Sequence, residues 1–312
     1  MTNVIAFFPG QGAQQVGMLA DIASDYSIIQ ETFAEASDAV GFDLWAMIQQ
    51  GPADTLNLTY NTQPALLTAS TAIWRVLQAQ CPALNVVAAA GHSLGEYSAL
   101  VAADAISFAD AVRLVKRRGQ LMDAAVPAGQ GGMAAVLGLD EEQIRAVCDE
   151  AAIAGVVEPA NFNAPGQIVI AGDTAGVAKG IEVAKAVGAK RALALSVSGP
   201  FHSSLMKAAA EEFNDALASV QWRAPAFPVY HNVDNQTATL EAIPQRLLEQ
   251  LYSPVNWTGA VQAVRDRSDL ALEIGPGKVL AGLVKRIDKT LDVETTGDSG
   301  ALTAAISRVQ GA

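Results

Sequence analysis

Residues 86–100 read VVAAAGHSLGEYSAL, and this stretch decides the fold prediction. The apolar run 86–90 has the length of a buried strand, Gly91 and Gly95 permit a tight turn, and a helical segment begins near Glu96. A GxSxG motif between a strand and a helix holds its serine hydroxyl clear of its neighbours. It also points the helix N-terminus at the place where negative charge develops. We predict Ser93 as a nucleophile; a glycine-rich turn with an N-capping serine is the alternative.

Outward from this turn, short apolar runs alternate with longer amphipathic segments. The pattern predicts strands at 4–8 and 270–274 and helices at 63–79, 108–124 and 278–287. Alternation of this kind is typical of an α/β protein with a largely parallel sheet.

The middle of the chain has a different order of elements. The sequence predicts six elements here: a strand at 133–137, a helix at 140–152, strands at 156–160 and 167–171, a helix at 174–187 and a strand at 191–197. This βαββαβ order is that of a ferredoxin-like unit. We therefore predict a small domain at residues 129–197, inserted into a large α/β domain formed by residues 1–128 and 198–312.

The composition excludes several classes of protein. Of the 312 residues 51% are hydrophobic and 17% charged, which favours a packed core over disorder. The net charge of -12 disfavours nucleic acid and anionic membranes as partners, and no apolar run approaches the roughly 20 residues of a membrane span. Two cysteines are too few for a disulfide framework or a thiolate metal site, and we expect no bound metal. Cysteines used in this way fit a reducing cytosol, and we expect a cytoplasmic protein. The N-terminal stretch lacks the basic leader and cleavage site of a signal peptide, and its apolar run fits a first buried strand better.

A serine nucleophile needs a base, and the chain has three histidines. His92 adjoins Ser93 in the turn, where successive side chains diverge, and His231 lies in a strand-like run typical of a core histidine. His202 lies in a loop between a strand and a helix, where catalytic groups of α/β proteins collect. We predict His202 as the base, with activity falling below about pH 6 to 7, where an ordinary histidine takes up a proton.

Five motifs together resemble the bacterial malonyl-CoA:acyl carrier protein transacylases. They are FPGQGAQ (8–14), GHSLGEYSAL (91–100), KRRGQLM (116–122), GPFHSSLM (199–206) and EIGPGKVL (273–280). The resemblance spans nearly the whole chain and implies a hydrolase-like core carrying a ferredoxin-like insert. It implies transfer of a malonyl group from malonyl-CoA, through a seryl ester, to the phosphopantetheine thiol of acyl carrier protein in fatty acid or polyketide-type biosynthesis. No cofactor is expected, since the coenzyme A thioester is a substrate, and we expect a monomer.

The resemblance also assigns roles to single residues. Ser93 would carry the acyl group, and His202 would be oriented by a backbone carbonyl, that of Gln250. The backbone N–H groups of Gln11 and Leu94 would form the oxyanion hole.

Two further roles concern the substrate. Arg118, which precedes Gly119 as the family's arginine precedes its glycine, would hold the malonyl carboxylate; a planar guanidinium suits a forked contact with a carboxylate. Asn163 would face the cleft, although an asparagine in a β-turn is an equal alternative. The basic clusters at 190–191 and 285–289 are candidate contacts for an acidic carrier protein, and ordinary solvated surface is their alternative.

Three other functions share parts of this pattern. An α/β-hydrolase esterase has the same turn but should carry an acid followed by a histidine near its C-terminus, and often an HG oxyanion motif, which this sequence lacks. A patatin-like lipase should carry a DG dipeptide, which is also absent. A binding scaffold without activity is disfavoured by the joint presence of Ser93, His202, Arg118 and Gln11.

Overall fold

The computed structural model describes residues 2–311, which form two sheets with helices packed against them. The strands are Thr2–Phe8 (β1), Leu84–Gly91 (β2), Gly131–Leu137 (β3), Val157–Ala164 (β4), Gln167–Asp173 (β5), Arg191–Ala194 (β6), Val229–Tyr230 (β7), Leu270–Glu273 (β8) and Asp292–Thr295 (β9). The α-helices are Ala20–Asp25 (α1), Ile28–Val40 (α2), Leu44–Gln50 (α3), Ala53–Leu56 (α4), Thr59–Gln80 (α5), Gly95–Ala102 (α6), Phe108–Ala124 (α7), Glu141–Ala151 (α8), Thr174–Ala186 (α9), Lys207–Ala218 (α10), Ile243–Gln250 (α11), Trp257–Val264 (α12), Val279–Ile287 (α13) and Ser299–Gln310 (α14).

The first sheet is parallel, with strand order β7-β2-β1-β8-β9. Side chains of a strand alternate between the two faces. On β1, Val4, Ala6 and Phe8 belong to one apolar cluster, whereas Ile5 and Phe7 belong to the cluster on the opposite face. From Val4 to Phe8, β1 is buried on both faces, and this part of its sequence is an unbroken apolar run, as is typical of strands in parallel sheets.

The second sheet is antiparallel, with strand order β4-β5-β3-β6. Its strands and helices follow one another as β3-α8-β4-β5-α9-β6, the ferredoxin-like order that the sequence predicts. Backbone hydrogen bonds from Phe162 to Val255 and from Val255 to Ala160 join β4 to the segment before α12. The predicted fold class, α/β with a largely parallel sheet and a ferredoxin-like unit, is confirmed; the domain boundaries stay a prediction.

Several predicted element bounds need correction. α5 begins at Thr59 rather than at residue 63 and continues through Pro64, whose missing N–H removes one helical hydrogen bond. β4 runs to Ala164, so Asn163 lies in a strand and the β-turn alternative for it is wrong. β6 ends at Ala194 instead of residue 197. No helix in the described part of the chain is long and apolar enough to cross a membrane.

Candidate active site

The turn between β2 and α6 is built around glycines that no other residue could replace. A Cβ on Gly91 would lie 1.8 Å from the carbonyl carbon of Gly95, and one on Gly95 would lie 2.0 Å from the carbonyl oxygen of Phe8. Between them Ser93 adopts φ +50°, the left-handed region that L-residues seldom occupy. Such a conformation costs about 1 to 3 kcal/mol and persists only where neighbouring groups hold it.

Both backbone groups of Ser93 are held by buried amide side chains. The Ser93 N–H donates to Oδ1 of Asn232 at 2.8 Å, and Nε2 of Gln250 donates to the Ser93 carbonyl at 3.1 Å. Nδ2 of Asn232 also donates to the Gly91 carbonyl at 2.7 Å. These contacts compensate the strained turn and fix the direction of the serine hydroxyl.

The structure brings Ser93 and His202 together. Ser93 Oγ lies 2.8 Å from His202 Nε2, and His202 Nδ1 lies 2.8 Å from the backbone carbonyl of Gln250. A carbonyl oxygen can only accept, so Nδ1 carries the proton and Nε2 presents a lone pair to the serine hydroxyl. His202 is buried, and its φ of +61° is also left-handed.

Within residues 2–311, neither of the other two histidines forms a hydrogen bond with the Ser93 hydroxyl. His231 is buried with Nδ1 2.7 Å from Oε1 of Glu96, as expected for a satisfied core histidine. His92 lies in the turn with Nε2 2.7 Å from Oδ1 of Asn163, while its ring packs near Trp257. Asn163 therefore connects β4 to the nucleophile turn and lines the same cavity as Ser93.

Burial is the main cause of the low pKa of His202, and the neighbouring Arg118 cation lowers it further, to about 3. This value replaces the range near 6 to 7 expected for an ordinary histidine. A base is active when it is neutral, so the second-order rate constant for substrate is expected to stay level as pH falls from 7 to 5. It should decline only as pH approaches about 3.

The measurement for this pH prediction is the pH dependence of kcat/KM, with circular dichroism at each pH to verify folding. The pKa of His202 is about 3 in the folded protein and near 6.5 in the unfolded chain. Between these two pH values the unfolded chain therefore binds more protons than the folded protein. The free energy of unfolding should therefore fall as pH drops below about 6.5. A loss of kcat/KM centred near pH 6.5 in folded protein would contradict the prediction.

Arg118 on α7 is 1% exposed, and its side chain meets neutral acceptors. Nη1 donates to Oε1 of Gln63 at 2.9 Å, and Nη2 donates to Oε1 of Gln250 at 2.9 Å and to Ser93 Oγ at 3.2 Å. Within residues 2–311 no carboxylate lies within ion-pair distance of this guanidinium. The helix approaches α5 closely at Gly119, where a Cβ would lie 2.5 Å from the Cα of Tyr60.

The loop after β1 lies beside the nucleophile turn. A Cβ on Gly10 would lie 2.3 Å from the carbonyl oxygen of His92, so glycine is required for this close approach. Gln11 and Leu94 both line the cavity that holds Ser93. Among the described residues, neither of their backbone N–H groups donates to a protein acceptor. Two such donors beside a nucleophile can stabilise an oxyanion.

These side chains enclose a cavity of about 180 Å³ between the two sheets. Its polar residues are Gln11, Gln63, His92, Ser93, Arg118, Asn161, Asn163 and His202, and its apolar lining includes Met122, Met133, Val169, Leu195, Val197 and Phe201. In the described part of the chain, no three His, Cys, Asp or Glu side chains are arranged to hold a metal ion.

Three residues of this site were missed by sequence reasoning: Gln63, Asn232 and Glu96. Gln63 lies on a helix whose apolar pattern favours core packing, and Asn232 follows the short strand β7. Glu96 is fully buried in the first turn of α6, where an exposed acidic residue would be ordinary. The one feature of the sequence that could have indicated a role for Glu96 is its position three residues after Ser93.

Ser93 is held at a strand–helix turn, and His202 lies beside it as a base. Gln11 and Leu94, whose amides have no protein acceptor among the described residues, line the same cavity. This combination is typical of the serine acyltransferases and hydrolases of the α/β class. Residues 6–303 match the family model described as acyl transferase domain. The malonyl CoA-acyl carrier protein transacylase of Salmonella typhimurium is 53% identical over 99% of this chain and 100% of that protein. That of Staphylococcus aureus is 45% identical over 95% of each. The chain therefore belongs to the malonyl-CoA:acyl carrier protein transacylase family, as its motifs indicate.

Solved structures agree with this assignment. An acyl carrier protein S-malonyltransferase from Vibrio cholerae superposes with a TM-score of 0.93 at 51% identity, covering 98% of this chain and 100% of that one. A malonyl-transacylase solved in complex with a type II polyketide acyl carrier protein superposes with a TM-score of 0.96 at 49% identity, covering 99% and 100%.

Proposed function

We propose that this chain transfers a malonyl group from malonyl-CoA to the phosphopantetheine thiol of acyl carrier protein, in fatty acid or polyketide-type biosynthesis. The observation that carries this proposal is Arg118, a buried cation that has no carboxylate partner among residues 2–311 and whose Nη2 lies 3.2 Å from the Ser93 hydroxyl. A buried guanidinium favours a substrate that brings its own carboxylate, and the malonyl group does so.

The first half of the reaction forms the seryl ester. Ser93 Oγ attacks the thioester carbonyl carbon while its proton passes to His202 Nε2. The carbonyl oxygen becomes an oxyanion, and the amides of Gln11 and Leu94 stabilise it. The carbon–sulfur bond then breaks and the leaving thiolate takes the proton from His202, which releases coenzyme A and leaves a malonyl ester.

The second half runs through the same groups in reverse. His202 Nε2 removes the proton of the carrier thiol, the thiolate attacks the ester carbonyl, and Ser93 recovers its proton as the ester bond breaks. No further cofactor enters this sequence. The protein acts in the cytoplasm as a monomer in this proposal, and the exposed Lys190 and Arg191 are candidate contacts for the acidic carrier.

The test mixes the protein with labelled malonyl-CoA and phosphopantetheinylated carrier protein and follows the label. Transfer predicts label on the carrier thiol, whereas an esterase or thioesterase would release free malonate. A binding scaffold would leave the label on coenzyme A.

Replacing Arg118 by alanine is expected to lower kcat/KM for malonyl-CoA by two or more orders of magnitude. Charge-assisted hydrogen bonds contribute about 1.5 to 3 kcal/mol, and leaving a buried carboxylate unpaired costs about 3 to 5 kcal/mol, where about 1.4 kcal/mol is tenfold in rate. Acetyl transfer, which involves no carboxylate, should be unchanged or faster.

The control is Arg118→Lys, which keeps the charge but cannot make the forked contact and should recover part of the malonyl rate. The deciding quantity is the ratio of malonyl to acetyl kcat/KM in the three proteins. An unchanged ratio in Arg118→Ala would mean that malonyl selection lies in other residues.

A further inference from the structure

Glu96 is a fully buried carboxylate directly beneath the nucleophile turn. Its Oε1 lies 2.7 Å from His231 Nδ1, and its Oε2 accepts from the Asn232 backbone N–H at 2.9 Å and from Gln250 Nε2 at 2.7 Å. A buried carboxylate needs both hydrogen bonds and a positive charge nearby. The hydrogen bonds are present, and the mechanism above makes no use of this anion.

Glu96 is linked to the Arg118 guanidinium through a single amide, that of Gln250. Arg118 Nη2 donates to Oε1 of Gln250, and Nε2 of the same amide donates to Glu96. A guanidinium only donates and a carboxylate only accepts, so the two charges fix the orientation of the Gln250 amide and polarise it. Burial lowers the pKa of Arg118, and the neighbouring Tyr97 and Glu96 oppose that shift.

We infer that Glu96 is the indirect counter-charge of Arg118, acting through the Gln250 amide, and that it limits how tightly the site holds a carboxylated acyl group. This inference rests on the proposed function. A carboxylate in direct contact with Arg118 would compete with the substrate, whereas none would leave a buried cation uncompensated. One intervening amide keeps the guanidinium charged and in place, with the side that faces Ser93 Oγ open to a substrate.

The sign of the effect follows from Coulomb's law. Removing the Glu96 charge makes the potential around Arg118 more positive, which strengthens its attraction for the malonyl carboxylate and leaves a neutral acetyl group unaffected. A residue that merely supported the turn would, on replacement, slow malonyl and acetyl transfer to the same extent. The ratio of the two specificity constants therefore separates charge from structural support.

The test variant is Glu96→Gln, which has the same shape. A glutamine oxygen can accept from Asn232 and Gln250 while its amide faces His231, whose tautomer can change to accept. We expect the malonyl to acetyl ratio of kcat/KM to rise about three- to tenfold, mainly through a lower KM for malonyl-CoA. His231→Asn is the matched control, because it alters the same carboxylate's environment without changing its charge, and its ratio should equal that of the unaltered protein.

A double variant keeps the inference testable if Glu96→Gln alone does not fold. With Arg118→Ala already present, Glu96 is a buried anion without its counter-charge, so adding Glu96→Gln should raise the thermal midpoint or leave it unchanged. In the otherwise unaltered protein the same substitution should lower the thermal midpoint. A charge pair predicts this difference between the two backgrounds, which is a non-zero interaction energy in the double-mutant cycle. The rise in ratio should also vanish when Arg118 is alanine.

Each outcome has a separate meaning. A ratio that does not rise in Glu96→Gln, or a loss of thermal stability that is equal in both backgrounds, would overturn the counter-charge and leave the role of Arg118 intact. If Arg118→Ala itself leaves the malonyl to acetyl ratio unchanged, the proposed function of Arg118 fails first.

Discussion

Replacing Ser93 by alanine is expected to abolish the covalent malonyl adduct and to lower kcat by roughly four to six orders of magnitude, since loss of the nucleophile removes the covalent route. Malonyl-CoA alone should add one malonyl group to the intact protein, because acylation needs no carrier protein. The measurement is intact-protein mass spectrometry with and without malonyl-CoA. Kinetics with both substrates should be ping-pong.

The matched control for this experiment is Ser98→Ala on α6. Ser98 is a buried serine whose hydroxyl has no hydrogen-bond partner among the described residues, so this change removes the same kind of atom from the helix that follows the nucleophile turn. The Ser98 variant should still acquire the malonyl mass. A malonyl adduct that survives in Ser93→Ala, or sequential kinetics in the unaltered protein, would exclude the seryl ester.

The nucleophile turn could be predicted from sequence because its determinants are local. Gly91 and Gly95 are required by contacts within the turn and with the adjacent strand β1, and a serine between a strand and a helix follows from spacing alone. The ferredoxin-like unit could also be predicted from sequence, because short apolar runs and longer amphipathic segments mark its strands and helices in order. α7 matches its predicted bounds, Phe108–Ala124, for the same reason.

The contacts that hold the turn could not be predicted, because they join segments far apart in the chain. Asn232 and Gln250 are more than a hundred residues from Ser93, yet they bind its N–H and its carbonyl. Nothing in a polar residue's own neighbourhood indicates that it is buried against a distant turn. The helices α1, α3 and α4 went unpredicted for a different reason: at 6, 7 and 4 residues they are too short to display a helical period.

The electrostatics of the site also depend on tertiary packing. Sequence could select His202 from three histidines by its loop position, but its pKa of about 3 results from burial and from Arg118, 84 positions earlier in the chain by number. The same packing places Arg118 against Gln63 and Gln250 instead of on the surface. The residue types indicate which chemistry the site can perform, whereas burial determines the pKa of His202 and the contacts of Arg118.

Replacing His202 is expected to slow acylation about 100- to 10,000-fold, the usual contribution of a general base. Asparagine is the better substitution, because φ at this position is +61° and asparagine tolerates the left-handed region. His202→Asn should therefore stay folded while losing the lone pair that lies 2.8 Å from Ser93 Oγ. The measurement is the rate of malonyl-adduct formation under single-turnover conditions, which isolates the acylation step.

The control for His202 is His231→Asn, which removes an imidazole that is also buried but contacts Glu96 instead of the nucleophile. Its acylation rate should fall far less. The pH dependence provides a second criterion: the acid limb near pH 3 belongs to His202 and should disappear in His202→Asn, leaving a low rate that no longer responds to the protonation of this base. If His231→Asn slowed acylation as much as His202→Asn in protein that remains folded, the base would have to be reassigned, since the 2.8 Å contact between His202 and Ser93 would then play no part in proton transfer.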